Sequence, residues 1–328
     1  MFSLELSDIQ KTILETAQKF AREVIAPGAI ERDINGEFPK EILHQLGELG
    51  FMGVTVPEEW DGVGLDTISY VLALREIAKA DAGISIPVSV QNSLVNWIFL
   101  NYGSDYLKDK YLRPLAMGKM IGAYCLSEPE AGSDARSIAT RAEEDGEYWV
   151  LNGLKNWVST GKSADIYVVF AQTNPDLAHR GIAAFAIEAG TEGFHPLKKE
   201  DKMGMHSSET VSIALSNVRV PKQNVIGKVG EGFYIAMRAL NGGRIGIAAQ
   251  AVGIAEAALE KAVRYAKARK TMGKPIFEHQ VIQYKLAQMS MKISAAEMLV
   301  FKAAYLRDAG MEHVRAASEA KLFATTIA

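Results

Sequence analysis

The spacing of apolar positions changes twice along the chain. Ile9, Ile13, Ala17, Phe20 and Val24 recur at helical intervals behind Ser7-Asp8-Ile9-Gln10. That tetrapeptide has capping-box form, with Gln10 able to reach back to the Ser7 amide. Pro27-Gly28 stops the run, and Pro39 and Gly50 bracket a second helix. The turn Trp60-Asp61-Gly62-Val63-Gly64 leads into a third helix starting near Asp66-Thr67. Pro87 is expected to break the apolar stretch that follows, with a new helix over about residues 89–102. After Gly118 the pattern reads as strand. Asp145-Gly146 and Asn152-Gly153 sit between aromatic and β-branched residues and read as hairpin turns. Ile166–Phe170 and Ala183–Ile187 are continuous apolar runs, expected as buried strands, and Val211–Leu215 alternates as a half-buried one. Pro221 and the Gly227/Gly230/Gly232 cluster close this region.

Helical spacing returns at Phe233. Residues 233–268 are punctuated by Gly242, Gly243, Gly246 and Gly253, where small residues let a backbone or ligand approach closely. Beyond Gly273-Lys274-Pro275, the positions Ile282, Leu286, Met289, Ile293, Ala296, Val300 and Ala303 form a bundle-type seam. Gly310 ends it, and a last helix from near Glu312 runs to Ala328 without a stop signal. The expectation is an α+β multidomain chain: an all-helical domain at 1–118, a middle antiparallel β domain at 119–228, and an incomplete helical bundle at 229–328, with the full-length protein continuing past Ala328.

Composition narrows the function classes. The net charge is −3 over 328 residues, which offers no electrostatic footprint for nucleic acid or anionic membrane. No run of ~18 apolar residues predicts a spanning helix. A single cysteine, Cys125, excludes an internal disulfide. The acidic start, Met1 to Asp8, lacks the form of a targeting peptide, so a cytoplasmic protein or a processed matrix protein is expected. The six histidines lie far apart without ligand spacing, so no metal site is expected.

The chemistry concentrates in Tyr124-Cys125-Leu126-Ser127-Glu128-Pro129-Glu130-Ala131-Gly132-Ser133-Asp134, rich in hydroxyls and turn formers. Four further segments follow in order: Lys155-Asn156-Trp157-Val158-Ser159-Thr160-Gly161, Leu240-Asn241-Gly242-Gly243-Arg244, Arg269 to Ile276, and Glu278-His279-Gln280. Taken singly, each has an ordinary reading. Trp157 could be a core aromatic, His279 a surface histidine near a helix start, and Arg269 one member of a solvated basic run. Taken together and in order, the five segments resemble the acyl-CoA dehydrogenase family, across essentially the whole chain.

That resemblance implies the three-domain fold above and FAD bound without a dinucleotide-binding glycine fingerprint, which is absent here. It implies that Tyr124, Cys125, Leu126 and Ser127 line the isoalloxazine edge, that Trp157 and Val158 cover the flavin, and that Ser159 places a hydroxyl near flavin N5. Ser133 is implied at pyrophosphate or CoA, Asn241 and Arg244 at the CoA arm. Arg269, Thr271, His279 and Gln280 are implied at the FAD of a neighbouring subunit, so a homodimer or homotetramer is expected. The implied reaction is α,β-dehydrogenation of an acyl-CoA to the trans-2-enoyl-CoA, short- to medium-chain and most like the short-chain, butanoyl-type enzymes, with an electron-transferring flavoprotein as electron acceptor. A carboxylate takes the α-proton as the β-hydrogen leaves as hydride. The alternative base position is Gly243, which has no side chain, so the implied glutamate is expected beyond Ala328. Two alternatives stay open: a relative with other flavin chemistry, such as an acyl-CoA oxidase or nitroalkane oxidase, and a non-catalytic scaffold that lost the base.

Overall fold

In the computed structural model, residues 5–328 are described; Met1 to Leu4, part of the acidic start, lie outside them. Among the described residues, eight α-helices precede the first strand: α1 (Asp8–Phe20), α2 (Ala29–Asn35), α3 (Lys40–Glu48), α4 (Thr67–Ala80), α5 (Ala82–Val90), α6 (Trp97–Tyr102), α7 (Asp105–Leu107) and α8 (Arg113–Ala116). Eight strands follow: β1 (Gly122–Cys125), β2 (Arg141–Asp145), β3 (Tyr148–Ser159), β4 (Ile166–Gln172), β5 (Ile182–Glu188), β6 (Phe194–Lys199), β7 (Thr210–Pro221) and β8 (Val225–Ile226). Then come α9 (Gly232–Ala268), the small hairpin β9 (Lys270–Thr271) and β10 (Lys274–Pro275), α10 (Gln280–Asp308) and α11 (Val314–Ile327).

The chain divides into two compact units. The first gathers the described residues up to Ala29 with Asp66–Ser85 and Arg244–Ala328. Its helices are tied at their ends. Ser7 Oγ accepts from Gln10 N (3.2 Å) and Gln10 Oε1 accepts from Ser7 N (3.0 Å), the reciprocal capping box read from the sequence. Gln10 then donates to Asp66 (2.8 Å), which caps α4 by accepting from Ser69 N (2.7 Å). Asp308, at the end of α10, accepts from Thr67 N at 2.8 Å. A Cβ on Gly253 would lie 2.3 Å from Arg75 O, so α9 crosses α4 with their backbones in contact. Arg75 pairs with Glu76 (2.9 Å), with Glu297 of α10 and with Glu256 of α9 (3.7 Å). The α10 seam is buried at Ile293, Ala296, Val300 and Ala303.

The second unit, Ile30–Leu65 with Ile86–Gly243, holds the sheet. β4 and β5 pair antiparallel over their full length and are buried on both faces, which is why they read as continuous apolar runs. Val168 and Phe170 point to one face, against Ile98, Phe99, Leu112 and Ile235 from helices; Tyr167 and Val169 point to the other, against Leu151, Val211 and Ile213. The sheet is mixed rather than wholly antiparallel: β1 runs parallel to β4, and β2 meets β4 in parallel at Arg141 and Gln172.

Two expectations are corrected. Pro87 lies inside α5 and does not break it, and helical backbone continues as a π turn over Gln91–Asn96 into α6. Burial of Ile84 and Val88 outweighs the roughly 3 kcal/mol that an interior proline costs. Asp145-Gly146 does turn the β2–β3 hairpin, but Asn152-Gly153 is no turn. It is a register shift within β3, where a Cβ on Gly153 would fall 2.4 Å from Thr140 Oγ1. Asn152 spends its side chain on Asn217 N (2.8 Å).

Candidate active site

In the second unit, β1 delivers Tyr124 and Cys125 beside β4. The Tyr124 ring packs edge-on against Phe170 at 5.2 Å, and its hydroxyl donates to Ala236 O at 3.5 Å. Cys125 is buried and free, and burial pushes its thiol up to about 12, so it is inert as a nucleophile at neutral pH. Leu126 is buried, Ser127 half-buried and Ser133 exposed on the following loop.

β3 supplies the other wall, and its register decides what faces where. Trp149, Leu151 and Lys155 share the inward phase. A second register shift between Lys155 and Val158 then reverses that phase. Val158 turns inward and Trp157 turns out, 56% exposed, with a left-handed backbone (φ 56°). The core-aromatic reading of Trp157 is therefore excluded. Ser159 pairs in register with Thr210 of β7, and Thr160 N donates to Glu209 O at 3.0 Å, drawing Ser208 and Glu209 to the same sheet end.

Behind this surface lies a buried ion pair. Lys155 is fully buried, and its Nζ donates to Glu128 Oε1 (2.6 Å) and Leu126 O (3.0 Å). Glu128 also accepts from Ala139 N (2.5 Å) and Thr140 N (3.1 Å). Burial pushes the Glu128 carboxyl up, but Lys155 and the two amides outweigh it and hold it below the usual carboxylate range. Burial pulls Lys155 down, opposed by Glu128. Donors meet both Glu128 oxygens, an arrangement that suits the acceptor-only carboxylate. Glu128 is thus committed to structure. The alternation that buries Trp149 and Leu151 was the available signal for a buried Lys155.

The donor set fits a flavin. Asn156 Oδ1, Ser208 Oγ and Glu209 Oε2 are buried without a hydrogen-bond partner, and buried polar atoms are rarely left so. The hydroxyls of Ser127 and Ser159 make no hydrogen bond among the described residues. An exposed indole flanked by unengaged hydroxyls and amide groups can cover a flat, polar-edged ring. Asn241 on α9 is half-buried and engaged in contacts of its own, and Gly243 faces Leu94, which a Cβ would meet at 3.2 Å.

The first unit carries the remaining residues. Arg244 is half-buried on α9 and engaged in contacts. Arg269 and Thr271 are exposed at the β9 hairpin, with His279 and Gln280 at the start of α10. The fold brings Thr271 Oγ1 within 3.1 Å of His279 Nε2, while Ile276 N donates to Arg269 O at 2.8 Å and fixes the hairpin base. Among the described residues, no cluster of His, Cys, Asp and Glu is placed to hold a metal, and no helix is long and apolar enough to cross a membrane.

A helical segment, a strand-rich middle and a helical end, with an exposed indole on the middle sheet, are the architecture the five sequence segments called for. The chain belongs to the acyl-CoA dehydrogenase family: its N-terminal, middle and C-terminal domain models match residues 7–119, 123–218 and 230–328. It is 45% identical over 329 residues to a short-chain-specific acyl-CoA dehydrogenase of Megasphaera elsdenii, covering 98% of this chain and 85% of that one. The solved structure of butyryl-CoA dehydrogenase from the same organism superposes with a TM-score of 0.98 at 44% identity, over 100% of this chain and 86% of that one. A chain from structural work on the electron transferring flavoprotein of Acidaminococcus fermentans and flavin-based electron bifurcation matches equally, with a TM-score of 0.98, 44% identity and the same coverage.

Proposed function

We propose that this chain catalyses FAD-dependent α,β-dehydrogenation of a short-chain acyl-CoA thioester to the trans-2-enoyl-CoA. The observation that carries the reading is Trp157, turned outward by a register shift and set among unengaged groups of Ser127, Asn156 and Ser159. Bound FAD supplies the hydride acceptor. The chain's own part is to shield and orient. The Trp157 indole excludes water from one ring face, and the hydroxyls and amides of Ser127 and Ser159 meet the polar edge. Ser133, Asn241 and Arg244 hold the CoA arm, and Arg269, Thr271, His279 and Gln280 reach the FAD of a second copy in a homo-oligomer. Support for the substrate comes from the short-chain and butyryl-CoA relatives, and for an electron-transferring flavoprotein as acceptor from the Acidaminococcus match. The division at 1–118, 119–228 and 229–328 is kept, supported by the three model ranges.

No residue of 1–328 is assigned as the base. Glu128 is committed to Lys155 and two amides, and Gly243 has no side chain. The reading leaves the proton-abstracting base unassigned. The activity is tested by anaerobic titration of the full-length protein with butanoyl-CoA while the oxidised flavin band is watched. Bleaching supports the reading, a band that persists moves it to another acyl group or to oxidase-type chemistry, and absence of flavin favours a scaffold.

A further inference from the structure

Lys155 is a buried ammonium in an otherwise apolar strand face, and among the described residues no other lysine is buried. Burying a charge is unfavourable unless it is paired, so what its contacts accomplish is informative. One goes to Glu128 and one to the carbonyl of Leu126 (3.0 Å). The next carbonyl, of Ser127, is taken by Asn156 N at 2.9 Å. Both carbonyls of this short segment are therefore pulled onto β3. The Ser127 N–H and hydroxyl find no partner among the described residues. Leu126 C=O and Ser127 N–H belong to one peptide group. An ammonium on the carbonyl end withdraws electron density through the amide and strengthens the N–H donor at the other end.

We infer that Lys155 is a positioning residue for the cofactor: it fixes and polarises the Leu126–Ser127 peptide so that Ser127 N–H is presented to the polar edge of the flavin as a strengthened donor. The inference rests on the FAD reading above. Glu128, held by Ala139 N and Thr140 N, balances the ammonium and keeps it charged. A stronger donor at that edge favours the more negative, reduced ring and so raises the midpoint potential.

The test uses the full-length protein reconstituted with FAD, with redox titration of the flavin and thermal melting as readouts. Flavin binding by the wild type comes first: its absence sinks the FAD reading, and is visible before any variant is made. K155M/E128Q removes both charges at similar volume, so it avoids leaving one buried charge unpaired. It is expected to bind FAD several-fold more weakly, with the flavin potential shifted down. Lys155→Arg keeps a cation beside Glu128 that can still donate to Leu126 O, and is expected to hold the potential near the wild-type value. A lowered potential in the double variant with a retained one in Lys155→Arg supports the inference. A wild-type potential in the double variant overturns it, as does a downward shift common to both. Failure of both variants to fold with flavin makes the pair a structural brace and also overturns it.

Discussion

Left-handed backbone at a non-glycine residue costs on the order of 1–3 kcal/mol, and Trp157, near the end of β3, and Thr160, in the turn after it, both adopt it. Such strain is retained where function needs it. Trp157→Gly removes both the strain and the indole. The apoprotein is expected to melt at or slightly above the wild-type temperature while FAD affinity falls about tenfold or more, roughly 1.4 kcal/mol; calorimetry on the apoprotein reads both. A second local device is His206. Its ring meets Asp33 Oδ2 at 3.1 Å and Lys202 O at 2.7 Å, and its amide donates to Asp33 Oδ1 at 2.7 Å, tying the loop before β7 to the end of α2. The Asp33 side chain, then the Lys202 carbonyl, raises His206 above its ordinary value. Burial pushes Asp33 up, but His206 outweighs it and holds Asp33 below its ordinary range. The raised histidine contributes stability that is present below its unfolded value and lost as pH rises through the folded one. The lowered aspartate contributes stability that is lost as pH falls through its folded value. Amide protection across residues 200–208, taken relative to the intrinsic exchange rate at each pH, is therefore expected to be greatest between these two limits, and His206→Gln is expected to flatten the upper one.

Elements were legible where local pattern and tertiary demand agreed. β4 and β5 follow from their apolar runs because both faces of the sheet are covered, and α1 follows from a capping box that forms as read. Pro87 misled because burial in the core is worth more than the hydrogen bond it removes. Asn152-Gly153 misled because an Asn-Gly pair serves a strand irregularity as well as a turn; the partner across it, Thr140, is remote in sequence. The same limit hid the outward turn of Trp157: the register shift between Lys155 and Val158 decides which side chains are inside beyond it, and alternation alone does not reveal it. Two substitutions test elements directly. Gly153→Ala forces a Cβ against Thr140 backbone (2.7 Å from its Cα) and is expected to cost about 1–3 kcal/mol in urea unfolding. Asp66→Ala deletes the α4 cap and the Gln10 contact, for about 1–2 kcal/mol by the same measurement.

On the scale of the molecule, cofactor and assembly are expected to act together. Saturation with FAD at about 100 times its Kd adds roughly 2.7 kcal/mol to the folded state, so melting of holo and apo protein is expected to separate clearly. α10 leaves Val281, Tyr284, Met291 and Met298 exposed along one stripe. Sedimentation of the wild type is expected to give a species larger than one chain, and a Tyr284→Lys, Met291→Lys double variant to give a smaller one. Cys125 has a use independent of catalysis. It is the single thiol of the chain, buried at the end of β1 in the core of the sheet and unreactive where it lies. Alkylation by an added maleimide must then wait until the sheet opens, so the labelling rate times that opening, and a mass spectrometer can follow it in a crude extract without any engineered tag.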